Sequence, residues 1–362
     1  MAMPKWKRVF AFVGAAGLVA GGASFGAEAT RTASHPDAAI KKDAGTAAVG
    51  AAANDEDAFK REAQSDLQSK QFARLDARAE HLVRTRARFP GGDWKSERLI
   101  SALSCPRFQK VPDEDLRPKI AALQQWRHGR PASMTAAIAL VYTDICYAWQ
   151  ARGDGYSDSV TPEGWRLLRE RMDAAEGILL DVGARAPKTP DWYRAMIDLG
   201  RINGWEPARV SALFQEAKKL EPRYLPTYDA MAMSLMPRWQ GNEGAWERFA
   251  DESADQLGGR EGSVVYGDIA WRISRMYRGH DFYVENRVSW PRLRQGFIDR
   301  EALYGTNLRV LNAFCKLAGS AGDRATTRAL LERIGDHWDP ETWTRKSFDN
   351  YRTWAFRQGD GR

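Results

Sequence analysis

Apolar residues return every three or four positions along most of this chain. Phe72, Leu75, Ala79, Leu82 and Val83 share one stripe, and Leu116, Ile120, Leu123 and Trp126 share another. Leu167, Leu168, Met172, Ala175, Ile178 and Leu179 repeat the pattern, as do Val210, Leu213, Phe214, Ala217 and Leu220. This spacing puts side chains on one side of an α-helix. Strand-like alternation is nearly absent. Val264-Val265-Tyr266 is the main strand-prone run, and the helical series Tyr266, Ile269, Ala270, Ile273, Met276 and Tyr277 absorbs it. Helix starts are marked too. Thr161-Pro162, Thr189-Pro190 and Asp339-Pro340 each put a capping side chain before a proline, whose missing N–H is no loss at the first helical position. Pro237 ends the run through Leu235 and Met236. Short joints containing Gly or Pro then predict helices packed against their neighbours in sequence.

The helices also look paired. Phe214, Ala217 and Pro222 have the offsets that close a tetratricopeptide repeat, and Leu311, Phe314, Cys315, Ala318 and Gly322 fall on similar positions. Arg194, Asp198 and Arg201 stand where the first helix of such a repeat carries Trp, Gly and Tyr, so the signature is degenerate. The expectation is an all-α fold: a helical-hairpin repeat array, a tetratricopeptide-like α-solenoid over residues 55–362. Each hairpin has an apolar face that only the next hairpin buries, so the array gains a concave side.

Three ordered motifs strengthen that reading. They are Arg88-Phe89-Pro90-Gly91-Gly92-Asp93-Trp94-Lys95, the stretch from Tyr147 through Arg152 and Asp158 to Trp165, and Leu235-Met236-Pro237-Arg238-Trp239-Gln240-Gly241. Together they resemble an uncharacterised bacterial family of tetratricopeptide-like helical proteins, a domain of unknown function. The resemblance spans roughly Gln71 to Ala355. It implies the fold and no activity.

The N-terminus reads as an address. Lys5, Lys7 and Arg8 precede an uncharged stretch from Val9 to Ala27, and Ala27-Glu28-Ala29 suits signal peptidase, with Ser24-Phe25-Gly26 as a second option. Residues 1–29 are therefore expected to be a cleaved signal peptide, and the protein periplasmic or secreted. The alternative is an uncleaved inner-membrane anchor. Residues 30–54 lack apolar periodicity and are expected to form a flexible linker.

Composition narrows the function. With 43% hydrophobic and 28% charged residues the chain is globular rather than disordered. The net charge of +7 is scattered as Arg beside Asp and Glu, which argues against a nucleic-acid partner. No HExxH, Walker loop, GxSxG or CxxC occurs, so no catalytic residue, metal or cofactor is expected. Cys105, Cys146 and Cys315 allow at most one internal disulfide, and Cys105–Cys146 is one option. Asp144, inside an apolar stretch, calls for a cationic partner from the helix after Thr161.

Two loops offer binding residues. Arg152, Tyr156, Asp158 and Trp165 form a polar, aromatic group between two long helices; they either bind a partner or simply cap and order the loop. Arg238 and Trp239 follow the Pro237 break, as exposed anchors or as packing and ion-pair groups. The leading expectation is an exported non-catalytic protein that binds a protein or peptide partner in the envelope. The alternative is an enzyme on an α/α scaffold acting on a cell-envelope glycan, through Trp-stacked sugars and a carboxylate pair.

Overall fold

The computed structural model describes residues 46–105, 111–152, 161–239, 241–277 and 281–357; for 46–54 and 151–152 it describes the backbone alone. Among the described residues the protein is all-helical, with sixteen α-helices, one 3-10 turn at Pro237–Trp239, and an isolated bridge between Arg88 and Trp94. The first six helices are α1 (Thr46–Gln68), α2 (Phe72–Thr85), α3 (Lys95–Leu103), α4 (Asp113–Gly129), α5 (Met134–Arg152) and α6 (Pro162–Arg185). The middle of the chain forms α7 (Pro190–Asn203), α8 (Pro207–Leu220), α9 (Leu225–Ser234), α10 (Ala245–Leu257) and α11 (Gly259–Ser274). It closes with α12 (Asp281–Glu285), α13 (Trp290–Tyr304), α14 (Leu308–Ser320), α15 (Arg324–Ile334) and α16 (Arg345–Phe356).

Local chemistry explains most boundaries. The Thr161 hydroxyl accepts the Gly164 N–H and Thr189 accepts that of Trp192, each ahead of a proline at the first helical position. Asp339-Pro340 behaves differently. The Asp339 carboxylate accepts the Glu341 N–H and the Thr342 hydroxyl in a turn, and the helix starts later, with Thr344 capping Ser347. The linker expected over residues 30–54 needs a similar correction, because α1 begins at Thr46. Ala47, Ala48, Ala51, Ala52 and Ala53 explain this: alanine has the highest helix propensity and needs no apolar stripe to continue a helix. The expected signal peptide lies outside the described residues.

Helices pack with their sequence neighbours, as α5 does with α6, α7 with α8, α10 with α11 and α14 with α15. A second set of contacts runs between alternate helices: α5 on α7, α7 on α9, α9 on α11 and α11 on α13. Helices α5, α7, α9, α11 and α13 thus stand side by side in a row. Three apolar cores follow along the chain, the first built on Leu75, Leu103 and Trp126, the second on Leu168, Leu179 and Trp192, the third on Tyr228, Trp246 and Phe314. Trp239 packs against both the second and the third.

Helices α11 and α13 meet backbone to backbone at Gly267 and Gly296. A Cβ built on Gly296 would lie 2.5 Å from the Ser263 carbonyl oxygen and 2.9 Å from the Gly267 Cα. Both are backbone atoms, so only separation of the helices relieves the clash. Gly296→Ala is expected to destabilise by about 2–3 kcal/mol. Gly177→Ala in α6, where a Cβ meets nothing within 4 Å, is expected to be neutral or stabilising by up to ~1 kcal/mol. Urea unfolding of the two variants checks the contrast.

Candidate functional site: a charged row face closed by an internal segment

The Arg88–Lys95 motif forms the turn between α2 and α3. The Phe89 N–H donates to the Asp93 carbonyl at 2.8 Å, and the Gly92 N–H to that of Phe89 at 2.9 Å. Gly91 and Gly92 have φ of +87° and +89°, which favours glycine. Their neighbours add a second requirement. A Cβ on Gly91 would sit 2.8 Å from Asn307 Nδ2, and one on Gly92 2.7 Å from the Tyr304 ring. The turn is pressed against the end of α13 and the start of α14, over 200 positions away in sequence. The Gly91 N–H donates to the Tyr304 carbonyl at 3.1 Å. Asn307 Nδ2 donates to the Pro90 carbonyl at 2.7 Å, and Arg300 Nε to that of Gly91 at 2.5 Å.

This docking buries the Asp93 carboxylate among four guanidinium groups. Arg98 lies at 3.0 Å, Arg300 at 3.3 Å and Arg272 at 3.6 Å, and Arg309 completes the set. Arg272, Arg300 and Arg309 also surround the Trp271 ring, their guanidinium carbons 5.0, 5.3 and 5.0 Å from its centroid. The ring's negative face favours this gathering of cations. Arg300 pairs with Asp268 as well. Burial works against an ionised Asp268, yet Arg300 and Arg272 hold it below the usual carboxylate range. Its neighbour Asp229 shares a hydrogen bond with it; burial and the charge of Asp268 push Asp229 well above that range. Of the two, Asp229 is therefore the one that holds a proton more readily, and Asp268 the one that stays ionised.

The network continues along the row. Arg194 Nη1 donates to Glu97 at 2.9 Å; burial disfavours the charge on Glu97, but Arg194 and Arg98 bring it down to about 2. Asp198 accepts the Tyr142 hydroxyl and an Arg201 N–H, both at 3.0 Å. The Arg201 guanidinium stacks on Trp239 at 4.5 Å, and Trp239 meets Trp149 edge-on at 6.4 Å. Trp149 belongs to one loop motif and Trp239 to another, so the fold brings together two motifs the sequence keeps far apart.

The candidate residues separate accordingly. Trp239 is half-buried where two cores meet, and Arg238 stands beside it in the 3-10 turn. Trp165 is in the core on α6. Arg152 ends α5, and its side chain, like Tyr156 and Asp158, lies outside the described residues. Asp144 is pushed up to about 6 by burial, opposed by the charge of Arg171 on α6. Sequence reasoning missed Arg272, Arg300 and Arg309 because they sit on three different helices. The available signal was Gly91-Gly92 ahead of a lone Asp93, a turn built for close approach.

The interior can hold a carboxylate; its room for chemistry is small. The gap lined by Gly267, Asp268, Trp271, Gly296 and Arg300 has no space for a water molecule. Among the described residues no group of three or more His, Cys, Asp or Glu could hold a metal ion. No helix of the described residues is long and apolar enough to cross a membrane.

One buried acid gives the contact a pH signature. Asp191, at the start of α7, accepts the Tyr224 hydroxyl and hydrogen bonds Ser96 of α3. Burial lifts it from 3.8 to about 6. The folded state thus binds the proton more tightly than the unfolded chain. Its contribution to stability is full below pH 4 and is lost as pH rises through 6, by about 3 kcal/mol. Glu97 acts in the opposite sense, losing its contribution as pH falls from 4.5 towards 2. Asp191→Asn is expected to flatten the fall in stability between pH 4.5 and 7, measured by urea unfolding across that range.

No family model, no curated protein and no solved structure matches this chain.

Proposed function

We propose that this chain is an exported, non-catalytic tetratricopeptide-like α-solenoid that binds a protein or peptide partner in the cell envelope. One observation carries the reading: the face of the row already seats a stretch of polypeptide, its own residues 88–95, through backbone and carboxylate contacts. The alternate-helix packing is what stacked hairpins produce. The Cys105–Cys146 disulfide, with Cα atoms 6.2 Å apart, suits the oxidising compartment that the N-terminal signal implies. The glycan-enzyme alternative calls for two carboxylates facing across an open cleft. The hydrogen-bonded pair Asp229 and Asp268 lies instead beside a gap too small for water.

Fractionation with N-terminal sequencing and thiol trapping tests the export half. A mature start near Thr30 with Cys105 and Cys146 oxidised supports it; cytoplasmic protein with reduced thiols sinks it. Photo-crosslinking from position 223, exposed at the rim of the face, tests the binding half. It should capture one defined envelope protein, and capture equal to that from position 166 on α6 would count against it.

A further inference from the structure

Resting on the reading of the row face as a peptide site, we propose that Arg272, Arg300 and Arg309 around Trp271 recognise the carboxylate of an acidic peptide. Residues 88–93 are the internal occupant that keeps this site closed until such a peptide displaces them. The chemistry of the contacts is the first argument. Most bonds to the segment fall on groups that any glycine-containing acidic peptide carries: the Gly91 N–H, the Pro90 and Gly91 carbonyls and the Asp93 carboxylate.

Charge is the second. With Asp93 withdrawn, the three cations Arg272, Arg300 and Arg309 face only two carboxyl groups, Asp268 and Asp229, while Arg98 keeps Glu97 and Glu56. Glu56, Glu341 and Asp339 act on Arg309 from further off. The emptied site therefore holds a surplus of positive charge in a desolvated setting, and an anion is the occupant that relieves it. Exchange is favoured over simple opening, since an incoming carboxylate replaces each ion pair that Asp93 gives up.

The third argument is how the segment is mounted. Phe89 packs edge-on against Phe59 of α1 at 5.2 Å, and α2 and α3 share the first core with Leu75, Leu99 and Leu103. The turn thus belongs to one core and docks on another; Trp94 stays packed on Tyr224 and Glu97 paired with Arg194, so the part that leaves the row is residues 88–93. Rebinding of the segment is intramolecular, and the Cys105–Cys146 bond, by anchoring the end of α3 to α5, limits how far the segment moves from its site.

The test uses the oxidised full chain and two synthetic peptides, one copying residues 86–97 and one with Asn in place of its Asp. In the wild-type chain, native-state hydrogen exchange should show amides 89–93 opening at least about ten-fold more often than Ile269–Ile273. Equal protection of both would make the segment part of the core and overturn the proposal. The Asp93→Ala chain should bind the Asp-containing peptide about ten-fold more tightly than the wild type does, and about ten-fold more tightly than it binds the Asn peptide. Equal binding of both peptides would overturn the carboxylate chemistry and leave the peptide-face reading standing. Binding of neither, by a chain that circular dichroism shows folded, would remove both. Should Asp93→Ala fail to fold, Asp93→Asn takes its place, and exchange in the wild type still decides.

Discussion

Arg300→Ala should destabilise the protein by about 3–5 kcal/mol, because it takes the nearest cation from buried Asp268 and one of four from buried Asp93, leaving Arg272 alone to pair with both. Arg300 is 3% exposed, Asp268 2% and Asp93 4%, so water cannot replace the guanidinium. The same side chain donates to the Gly91 carbonyl, so the loss also frees the turn. Arg300→Lys should recover only part of the deficit, since an ammonium cannot present three donors in the planar arrangement that Asp268, Asp93 and Gly91 require. Arg166→Ala is the contrast. Arg166 pairs with Glu163 and Glu170 on an exposed helix face, where solvent screens the pairing, and its removal should leave the urea midpoint almost unchanged. Urea midpoints at constant m-value compare the three variants; an Arg300→Ala midpoint close to that of Arg166→Ala would refute the account.

Replacing Cys105 and Cys146 together with Ala should cost about 4 kcal/mol. The bond closes a loop over a sequence separation of 41, and its main effect is to restrict the unfolded chain. In the folded state it also ties α3 to α5, so hydrogen exchange in α3 should rise more than in α11 when a dithiol reduces the wild-type protein. Cys315 offers no substitute partner, as it is buried and its thiol is pushed up by burial, which leaves it inert. If reduction moved the unfolding midpoint no further than it does in the double variant, the stabilisation would lie elsewhere.

The acid pair and the arginines bear on how such an interior is stabilised. Buried ion pairs gain little net free energy, since desolvation offsets attraction, yet breaking one is costly. This chain carries such pairs at Asp93, Glu97, Asp198 and Asp268, all on one face of the row. A face held by exchangeable polar contacts is specific in register and modest in net energy. That suits a surface that releases one peptide segment for another.

Periodicity by itself determined the helices. The stripes through Leu75, Leu123, Leu179 and Phe214, and the caps at Thr161 and Thr189, are local properties, written within a few residues of where they act. The sequence also carried Gly91-Gly92 and Trp239, without saying what they touch. Only the tertiary structure decided that Asp93 meets Arg272, Arg300 and Arg309, that Trp149 meets Trp239, and that Cys105 pairs with Cys146 rather than Cys315. The reason is physical: a helix's apolar stripe is fixed by spacing along one segment. A charge network is fixed by which segments the packing of those stripes brings within a few ångströms, and that depends on the whole chain at once.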